Sequence, residues 1–174
     1  DIEEIPGALW TRATLEKYRV TEAPALNRIF ISIDPKTEET AKSECGIVAV
    51  GQGADKHGYV LADFSMNGSP EAWARQVVDA YDALEADSIV AETNQGGDMV
   101  VSTLRMVRPG LPIRRVRATR GKALRAEPVS TLYTLGRVHH VGSFPKLEDQ
   151  MCSWLAGDKS PDRLDSLAHG LTEL

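Results

Sequence analysis

The stretch Arg28 to Pro35, RIFISIDP, decides how the rest of the sequence is interpreted. Residues 29–33 are five consecutive strand-type residues, and both faces of the predicted strand are apolar except at Ser32. This pattern is typical of a central strand that is covered on both sides. Asp34 then places a carboxylate at the end of the strand. It either starts an ordinary Asp-Pro turn or meets a cation, because an unpaired charge beside a buried strand is costly.

The length and composition are those of one domain. The chain has 174 residues, which is enough for a sizeable single core. No apolar run approaches the roughly 18 residues of a membrane span, and the first residues are acidic where a secretion signal would be basic. We therefore expect a soluble, intracellular protein. Cys45 and Cys152 lie too far apart for a metal or redox motif, which predicts two reduced thiols.

The charge is unevenly distributed along the chain. The formal net charge is -5, yet one short segment contains six basic residues and no acidic one. A local basic strip on an acidic body can hold a polyanion while it discourages indiscriminate binding. The six residues are Arg114, Arg115, Arg117, Arg120, Lys122 and Arg125.

The order of predicted elements indicates an α/β fold with a mixed sheet. Short connections join the first three strands, which predicts antiparallel neighbours, and a helical crossover separates the third strand from the fourth. The sheet order expected from this pattern is 3-2-1-4-5, five strands flanked by helices, with strand 2 antiparallel. The predicted strands cover residues 28–34, 45–50, 59–64, 88–93 and 113–119, and the main helices follow residue 69 and cover 97–107, 122–135 and 162–174.

Two carboxylates converge in this arrangement. Asp34 ends strand 1, and Glu92 comes near the end of strand 4 after an apolar run. Ligands of open α/β sheets bind at the carboxyl ends of strands where the strand order reverses, and here that point lies between strands 1 and 4. We therefore expect Asp34 and Glu92 to lie close together.

The last predicted helix offers two more carboxylates. Asp162 and Asp165 lie three residues apart near its start, so they share a neighbouring face. Asp162 has an ordinary alternative as a first-turn carboxylate that interacts with the helix dipole. Asp165 interrupts the apolar run between Leu164 and Leu167, which favours a functional role more strongly.

Clustered carboxylates suggest metal chemistry. They repel one another, so they stay ionised only around cations. Oxygen ligands suit Mg²⁺ or Mn²⁺ better than zinc. Two such ions about 3.5–4 Å apart would support phosphodiester hydrolysis, and the basic strip would then hold phosphates beside them.

Seven segments of the sequence occur in a characteristic order. They are IFISIDP, ECGIVAV, IVAETNQGGDMV, VRATRGKALRAEPV, RVHHVG, FPKLEDQM and SPDRLDSLAHGLTEL. Together they resemble one family, the C-terminal nuclease domain of the terminase large subunit of phages, prophages and gene transfer agents, over about residues 28–174. The resemblance implies a ribonuclease H-like fold and a divalent-metal endonuclease that cuts concatemeric double-stranded DNA during packaging, by two-metal hydrolysis.

The resemblance also implies roles for individual residues. Asp34 matches the first-strand aspartate, which would bridge two metal ions. Glu92 matches the fourth-strand acid, and Asp165 matches the final-helix aspartate of a "DA" type motif, although this chain has Asp-Ser there. Asp162 matches a position where relatives hold Asp or His. Which of Asp162 and Asp165 is the principal ligand is left open by the sequence.

Partners follow from the same resemblance. The family's large subunit carries a packaging ATPase with a GxxxxGK[ST] phosphate loop, and no such motif is present here. Residues 1–27 are therefore predicted to be a linker or N-terminal arm from that ATPase domain, and residues 28–174 the nuclease domain. Expected partners are double-stranded DNA, the ATPase domain, the small terminase subunit and the portal, in the cytoplasm of a bacterial host and without a membrane.

Several residues have weaker signals. Glu44, Glu148 and Asp149 are interpreted as solvated loop charges, with a place beside the metal site as the alternative. The turn at residues 94–98 either approaches phosphate through its backbone or uses glycine only for its geometry. The histidines lack ligand spacing, so His139, His140 and His169 are interpreted as structural. The residues predicted to contact DNA are Arg115, Arg117, Arg120, Lys122 and Arg125.

Two rival functions fit the same fold. Holliday-junction resolvases are ribonuclease H-like nucleases that also carry an acid or a histidine three residues before the last aspartate, and cleavage of four-way junctions would favour that function. A non-catalytic module that only docks DNA or the portal would show basic residues without bound metal.

Overall fold

In the part of the chain that the structure describes, six strands and six helices form the fold. A computed structural model describes residues 4–35, 44–93, 98–117 and 122–174, with the side chains of 98 and 122–125 outside the description. No helix in these ranges is long and apolar enough to cross a membrane. The strands are β1 (Leu26–Asp34), β2 (Gly46–Gly53), β3 (Gly58–Asp63), β4 (Ser88–Glu92), β5 (Ile113–Val116) and β6 (Val138–His140). The helices are α1 (Arg12–Tyr18), α2 (Pro70–Ala83), α3 (Asp98–Val107), α4 (Lys122–Thr134), α5 (Pro145–Ser153) and α6 (Asp162–Glu173).

The sheet confirms the predicted topology and extends it by one strand. Its order is β5-β4-β1-β2-β3-β6. β2 is antiparallel to both β1 and β3, whereas β4 is parallel to both β1 and β5. The addition is β6, which pairs in parallel with β3. The sequence indicated only a short extended piece there, because a run of three residues becomes a strand only when a neighbouring strand supplies its hydrogen bonds.

Strand β1 is buried on both faces, as its sequence predicts. Ile31 and Ile33 pack with α2 and α3 in one apolar cluster, which also contains Trp73 and Leu104. Phe30 belongs to the opposite cluster, together with residues of α4, α5 and α6. Side chains alternate between the two faces of a strand. Every second residue of β1 therefore faces α6, and this includes the last residue of the strand.

The segment before β1 packs on the domain. Thr11 caps α1 by accepting a hydrogen bond from the backbone N–H of Thr14. Trp10 and Leu15 are almost completely buried in the α6-side cluster, and the Trp10 ring meets Tyr133 edge to face with centroids 6.1 Å apart. The predicted origin of this segment in an ATPase domain, and the boundary at residue 27, stay predictions.

A buried polar network attaches this segment to α5. Both oxygens of Glu148 accept hydrogen bonds from Arg19, at 2.7 and 2.9 Å. His140 Nδ1 donates to Glu148 at 2.8 Å, and its Nε2 accepts from the hydroxyl of the buried Tyr133 at 2.8 Å. The interpretation of Glu148 as a solvated loop charge is wrong, because its side chain is 7% exposed and lies inside this network. Asp149 next to it is 65% exposed and pairs with Arg12.

The network determines the charge state of its members. Burial by itself would raise the pKa of Glu148, but hydrogen bonds from His140 and Arg19 outweigh that effect and lower the pKa to about 2. Burial also lowers the pKa of His140, so its imidazole is neutral at pH 7. His140 therefore has the structural role that the sequence suggested.

We predict that Glu148→Gln lowers the free energy of unfolding at pH 7 by about 3 kcal/mol, because the half-buried Arg19 loses the more buried of its two carboxylate partners, Glu148 and Glu16. The pKa of Glu148 is lower in the folded state than in the unfolded state. Its contribution to the free energy of unfolding is therefore present above the ordinary pKa of 4.5 and is lost as the pH falls toward 2. Thermal unfolding between pH 7 and pH 3 should therefore show a weaker pH dependence below 4.5 in the variant than in the parent.

The matched control is Asp149→Asn on the same helix, which should change stability by less than about 1 kcal/mol because its ion pair is exposed. Equal destabilisation by the two substitutions would show that the buried network contributes no more to stability than the exposed ion pair.

Candidate functional site

The pairing of β1 with β4 places two carboxylates side by side. The parallel register aligns Ser32 with Val90 and Ile33 with Ala91. One step further along the same register, Asp34 is level with Glu92 at the carboxyl ends of both strands. By strand alternation both side chains lie on the face that α6 covers. The predicted convergence of these two residues is confirmed.

A histidine from α6 completes a compact group. Among the described residues, Asp34, Glu92 and His169 each offer one ligand atom, and these atoms all lie within 4.8 Å of one another. His169 Nε2 lies 2.8 Å from Glu92 Oε2. The imidazole is 5% exposed and the Glu92 side chain 11% exposed, so the group is largely screened from solvent. Two carboxylates and one imidazole at this spacing are a suitable donor set for a divalent cation.

Helix α6 is fixed tightly against the centre of the sheet. The Ser166 hydroxyl donates a 2.8 Å hydrogen bond to the backbone carbonyl of Ser32. Gly170 allows close approach, since a Cβ there would lie 3.0 Å from Val50 and 3.1 Å from Ser32. At the start of the helix, a Cβ on Gly46 would overlap the carbonyl of Asp162. Glycine at these two positions therefore lets α6 lie directly on β1 and β2.

The two aspartates of α6 are buried at the same end of the domain. Asp162 is 6% exposed and Asp165 is 8% exposed. Asp165 and His169, one helical turn apart, line the same small pocket. Burial raises the pKa of the Cys45 thiol, and the negative charges of Asp34 and Asp162 near it raise this pKa further. Neither Asp162 nor Asp165 belongs to the group within 4.8 Å, so their metal-binding role stays a prediction.

Within the described part of the chain, neither cysteine belongs to the group of side chains that could hold a metal ion. Cys45 and Cys152 are both buried and free, as predicted from their separation in the sequence. Burial raises the pKa of both thiols, so both are protonated at neutral pH.

A buried arginine fixes the first turn of α6. Arg163 is 5% exposed and pairs with Glu44, which precedes β2, and with Asp63 at the end of β3, where Nε to Oδ2 is 2.9 Å. Burial lowers the pKa of Arg163 from its ordinary value. Glu44 is therefore an ion-pair partner of Arg163 and not a solvated loop charge. No sequence pattern pointed to Arg163, because its partners lie about 100 residues or more away along the chain.

The interpretation of His169 as structural stays a prediction, but the structure places this residue beside two of the predicted metal ligands. Its imidazole belongs to the same group as Asp34 and Glu92. The sequence did contain a usable signal, because His169 follows Asp165 by four residues and so lies on the same face of the helix. His139 makes a different set of contacts, with His57 and with the backbone carbonyl of Tyr18, and its structural interpretation is consistent with them.

Strand alternation divides the predicted basic strip. Arg114 lies on the α6 side, where its guanidinium is 3.6 Å from Glu173 and stacks on Phe30 at 5.0 Å. Arg115 is the next residue of β5 and faces the other side, and both Arg115 and Arg117 are exposed. Arg120, the side chains of Lys122 and Arg125, and most of the turn at residues 94–98 lie outside the described residues.

Solved structures share this fold. The large terminase of bacteriophage HK97 superposes with a TM-score of 0.71 at 10% identity, over 96% of this chain and 43% of that one. The large terminase nuclease of thermophilic phage G20c with bound cobalt superposes with a TM-score of 0.66 at 13% identity, over 97% and 98%. The human cytomegalovirus terminase nuclease domain, manganese-soaked and inhibitor-bound, gives 0.67 at 17% identity, over 95% and 94%. The chain thus spans less than half of the HK97 protein and nearly all of the two isolated domains.

The sequence also matches a protein family. The family described as the terminase RNaseH-like domain matches residues 31–174, which is most of the chain. No protein with curated annotation matches the sequence.

We predict that Gly46→Ala displaces the start of α6. The added methyl group would overlap the carbonyl of Asp162, and neither backbone can move independently of its packing, so stability should fall by about 1–3 kcal/mol or more. Thermal or denaturant unfolding would measure the change, and metal binding should weaken with it because Asp162 and Asp165 move.

Gly68→Ala is the control, because a Cβ there would meet mainly the flexible end of Met66 at an exposed position. A variant Gly46→Ala as stable as Gly68→Ala would show that the contact between β2 and α6 is looser than described.

Proposed function

This chain belongs to the family of terminase RNaseH-like domains, and from that membership and its carboxylate site we propose that it is a divalent-metal-dependent DNA endonuclease domain of a terminase large subunit. The observation that carries the proposal is the pair Asp34 and Glu92, level with each other at the carboxyl ends of β1 and β4. Two half-buried carboxylates at this spacing repel each other, and a cation shared between them would stabilise both.

The chemistry follows from what these residues can hold. Divalent ions bound here would activate a water molecule and stabilise the leaving oxygen of a phosphodiester. Asp34 and Glu92 would supply oxygen ligands from two adjacent strands. Asp165, which shares a pocket with His169, and Asp162 at the helix start would add carboxylates from α6. Because α6 is fixed to β1 and β2, these donors are held in position before DNA binds.

The proposed cofactor is Mg²⁺ or Mn²⁺, with two ions bound when substrate is present. The oxygen-rich donor set supports hard divalent cations. The cobalt-bound phage G20c nuclease and the manganese-soaked cytomegalovirus domain, which have the same fold, support a divalent metal in general.

The substrate and partners are proposed from family membership. The substrate is concatemeric double-stranded DNA, cut during genome packaging in the cytoplasm of the bacterial host. Because the chain spans 43% of the HK97 large terminase, a packaging ATPase domain in the same protein would account for the remainder. The small terminase subunit and the portal are further proposed partners. Family membership favours this function over that of a junction resolvase.

The first test is plasmid cleavage by the purified chain. We predict cutting with Mg²⁺ or Mn²⁺, none with EDTA, and a loss of about a hundredfold or more in Asp34→Asn and in Glu92→Gln, because metal ligation supplies several kcal/mol of transition-state stabilisation. Asp82→Asn is the control, since Asp82 is exposed on α2 and pairs with Arg108. Cleavage unchanged in Asp34→Asn would disprove the proposed site, and a folded parent that binds DNA but neither binds metal nor cuts would favour the docking module.

A second test concerns the exposed arginines of β5 and the residues after it. We predict that Arg115→Gln with Arg117→Gln weakens duplex DNA binding and lowers the salt slope of log K by about 1 per lost phosphate contact. Fluorescence anisotropy in EDTA at several salt concentrations would measure this. Arg75→Gln, an exposed arginine of α2 paired with Glu71, should leave the slope unchanged. Equal slopes for all three proteins would place the DNA path elsewhere.

A further inference from the structure

We propose that His169 is a direct nitrogen ligand of the metal centre and that it makes one metal position favour Mn²⁺ over Mg²⁺. This inference rests on the proposed function and narrows its cofactor. The ligands expected from the sequence are carboxylate oxygens only, whereas the imidazole of His169 lies in one group with Asp34 and Glu92.

The position of the imidazole fits direct ligation. Two ligand atoms at 2.0–2.1 Å from one ion and at right angles to each other lie about 3 Å apart. His169 Nε2 and Glu92 Oε2 are separated by 2.8 Å, and the ligand atom of Asp34 is within 4.8 Å of both. These three donors can therefore share an ion with small side-chain adjustments.

The hydrogen bond from His169 to Glu92 shows where the imidazole hydrogen lies and where it must lie for the same nitrogen to bind a metal ion. An ionised carboxylate only accepts, so Nε2 carries a hydrogen in its contact with Glu92. Ligation through Nε2 requires the neutral tautomer that carries its hydrogen on Nδ1. The contact between His169 and Glu92 would then be replaced by two bonds to the same ion.

Rigid packing keeps the imidazole in place. His169 is 4% exposed, and the residues on either side of it in α6 are fixed to the sheet: Ser166 is hydrogen-bonded to Ser32, and Gly170 is packed against Val50. The donor is therefore preorganised, which reduces the entropy that metal binding would otherwise cost.

Nitrogen ligation has a predictable effect on metal choice. Mg²⁺ prefers oxygen donors, whereas imidazole suits transition metals, and affinity for nitrogen-containing sites rises from Mn²⁺ to Co²⁺ along the first row. A position made of two carboxylates and one imidazole should thus bind Mn²⁺ at least about tenfold more tightly than Mg²⁺. A metal position whose ligands are carboxylates alone would show a smaller preference for Mn²⁺ over Mg²⁺.

The test compares the parent with His169→Gln, using Mn²⁺ and Mg²⁺ themselves as probes. Glutamine keeps a side-chain N–H that can donate to Glu92 but removes the imidazole nitrogen. Calorimetry and the electron paramagnetic resonance of free Mn²⁺ should show Mn²⁺ affinity falling by about tenfold or more, with a smaller fall for Mg²⁺. Electron spin echo modulation should show imidazole ¹⁴N coupling to bound Mn²⁺ in the parent and none in the variant.

Control variants distinguish a loss of folding, a failure of this inference and a failure of the proposed metal site. His57→Gln, a partly exposed histidine after β2, should retain parental affinity and coupling. Circular dichroism verifies that each variant is folded, and His169→Asn provides a second substitution if His169→Gln does not fold. Mn²⁺ affinity and ¹⁴N coupling retained in the folded His169 variant, while Asp34→Asn loses metal binding, would overturn this inference and leave the proposed function intact. Metal binding retained in Asp34→Asn would instead contradict the proposed site.

Discussion

The structure depends on one constraint, the parallel pairing of β1 with β4, which places Asp34 level with Glu92. Two carboxylates at this spacing in a largely buried setting repel each other, and a cation is the simplest way to stabilise both. The repulsion is maintained by the fold, because the strands are buried on both faces and cannot shift by one residue without exposing their apolar side chains. The stability of the central sheet thus holds the two charges together.

Helix α6 turns this pair into an enclosed site. Its close contact with the sheet requires glycine where the backbones approach, at Gly46 and Gly170, and a serine that bonds to the β1 backbone. The Arg163 ion pairs add a second attachment at the start of the helix. Because the same helix carries Asp162, Asp165 and His169, any change in its packing changes the site. Structural and functional roles cannot be separated along this helix.

Other charged residues show that packing places sequence neighbours of the same charge in different environments. Glu148 and Asp149 are neighbours on α5, yet one is buried in a network with Arg19 and His140 while the other is exposed. The same holds for Arg114 and Arg115, which β5 directs to opposite faces of the sheet. Charge density along the chain indicated a basic region, and only the alternation of the strand divided it between two surfaces.

The sequence by itself determined the sheet order, the burial of β1 and the convergence of Asp34 with Glu92, because these follow from local hydrophobic pattern, connection length and the rule that parallel strands end at one edge. Tertiary structure alone decided the pairing of β6, the Arg163 ion pairs and the contact of His169 with Glu92, although the spacing of His169 from Asp165 places both on one face of α6. Each depends on contacts between residues far apart in the chain. No local pattern encodes which distant side chain a packed helix brings to a given strand.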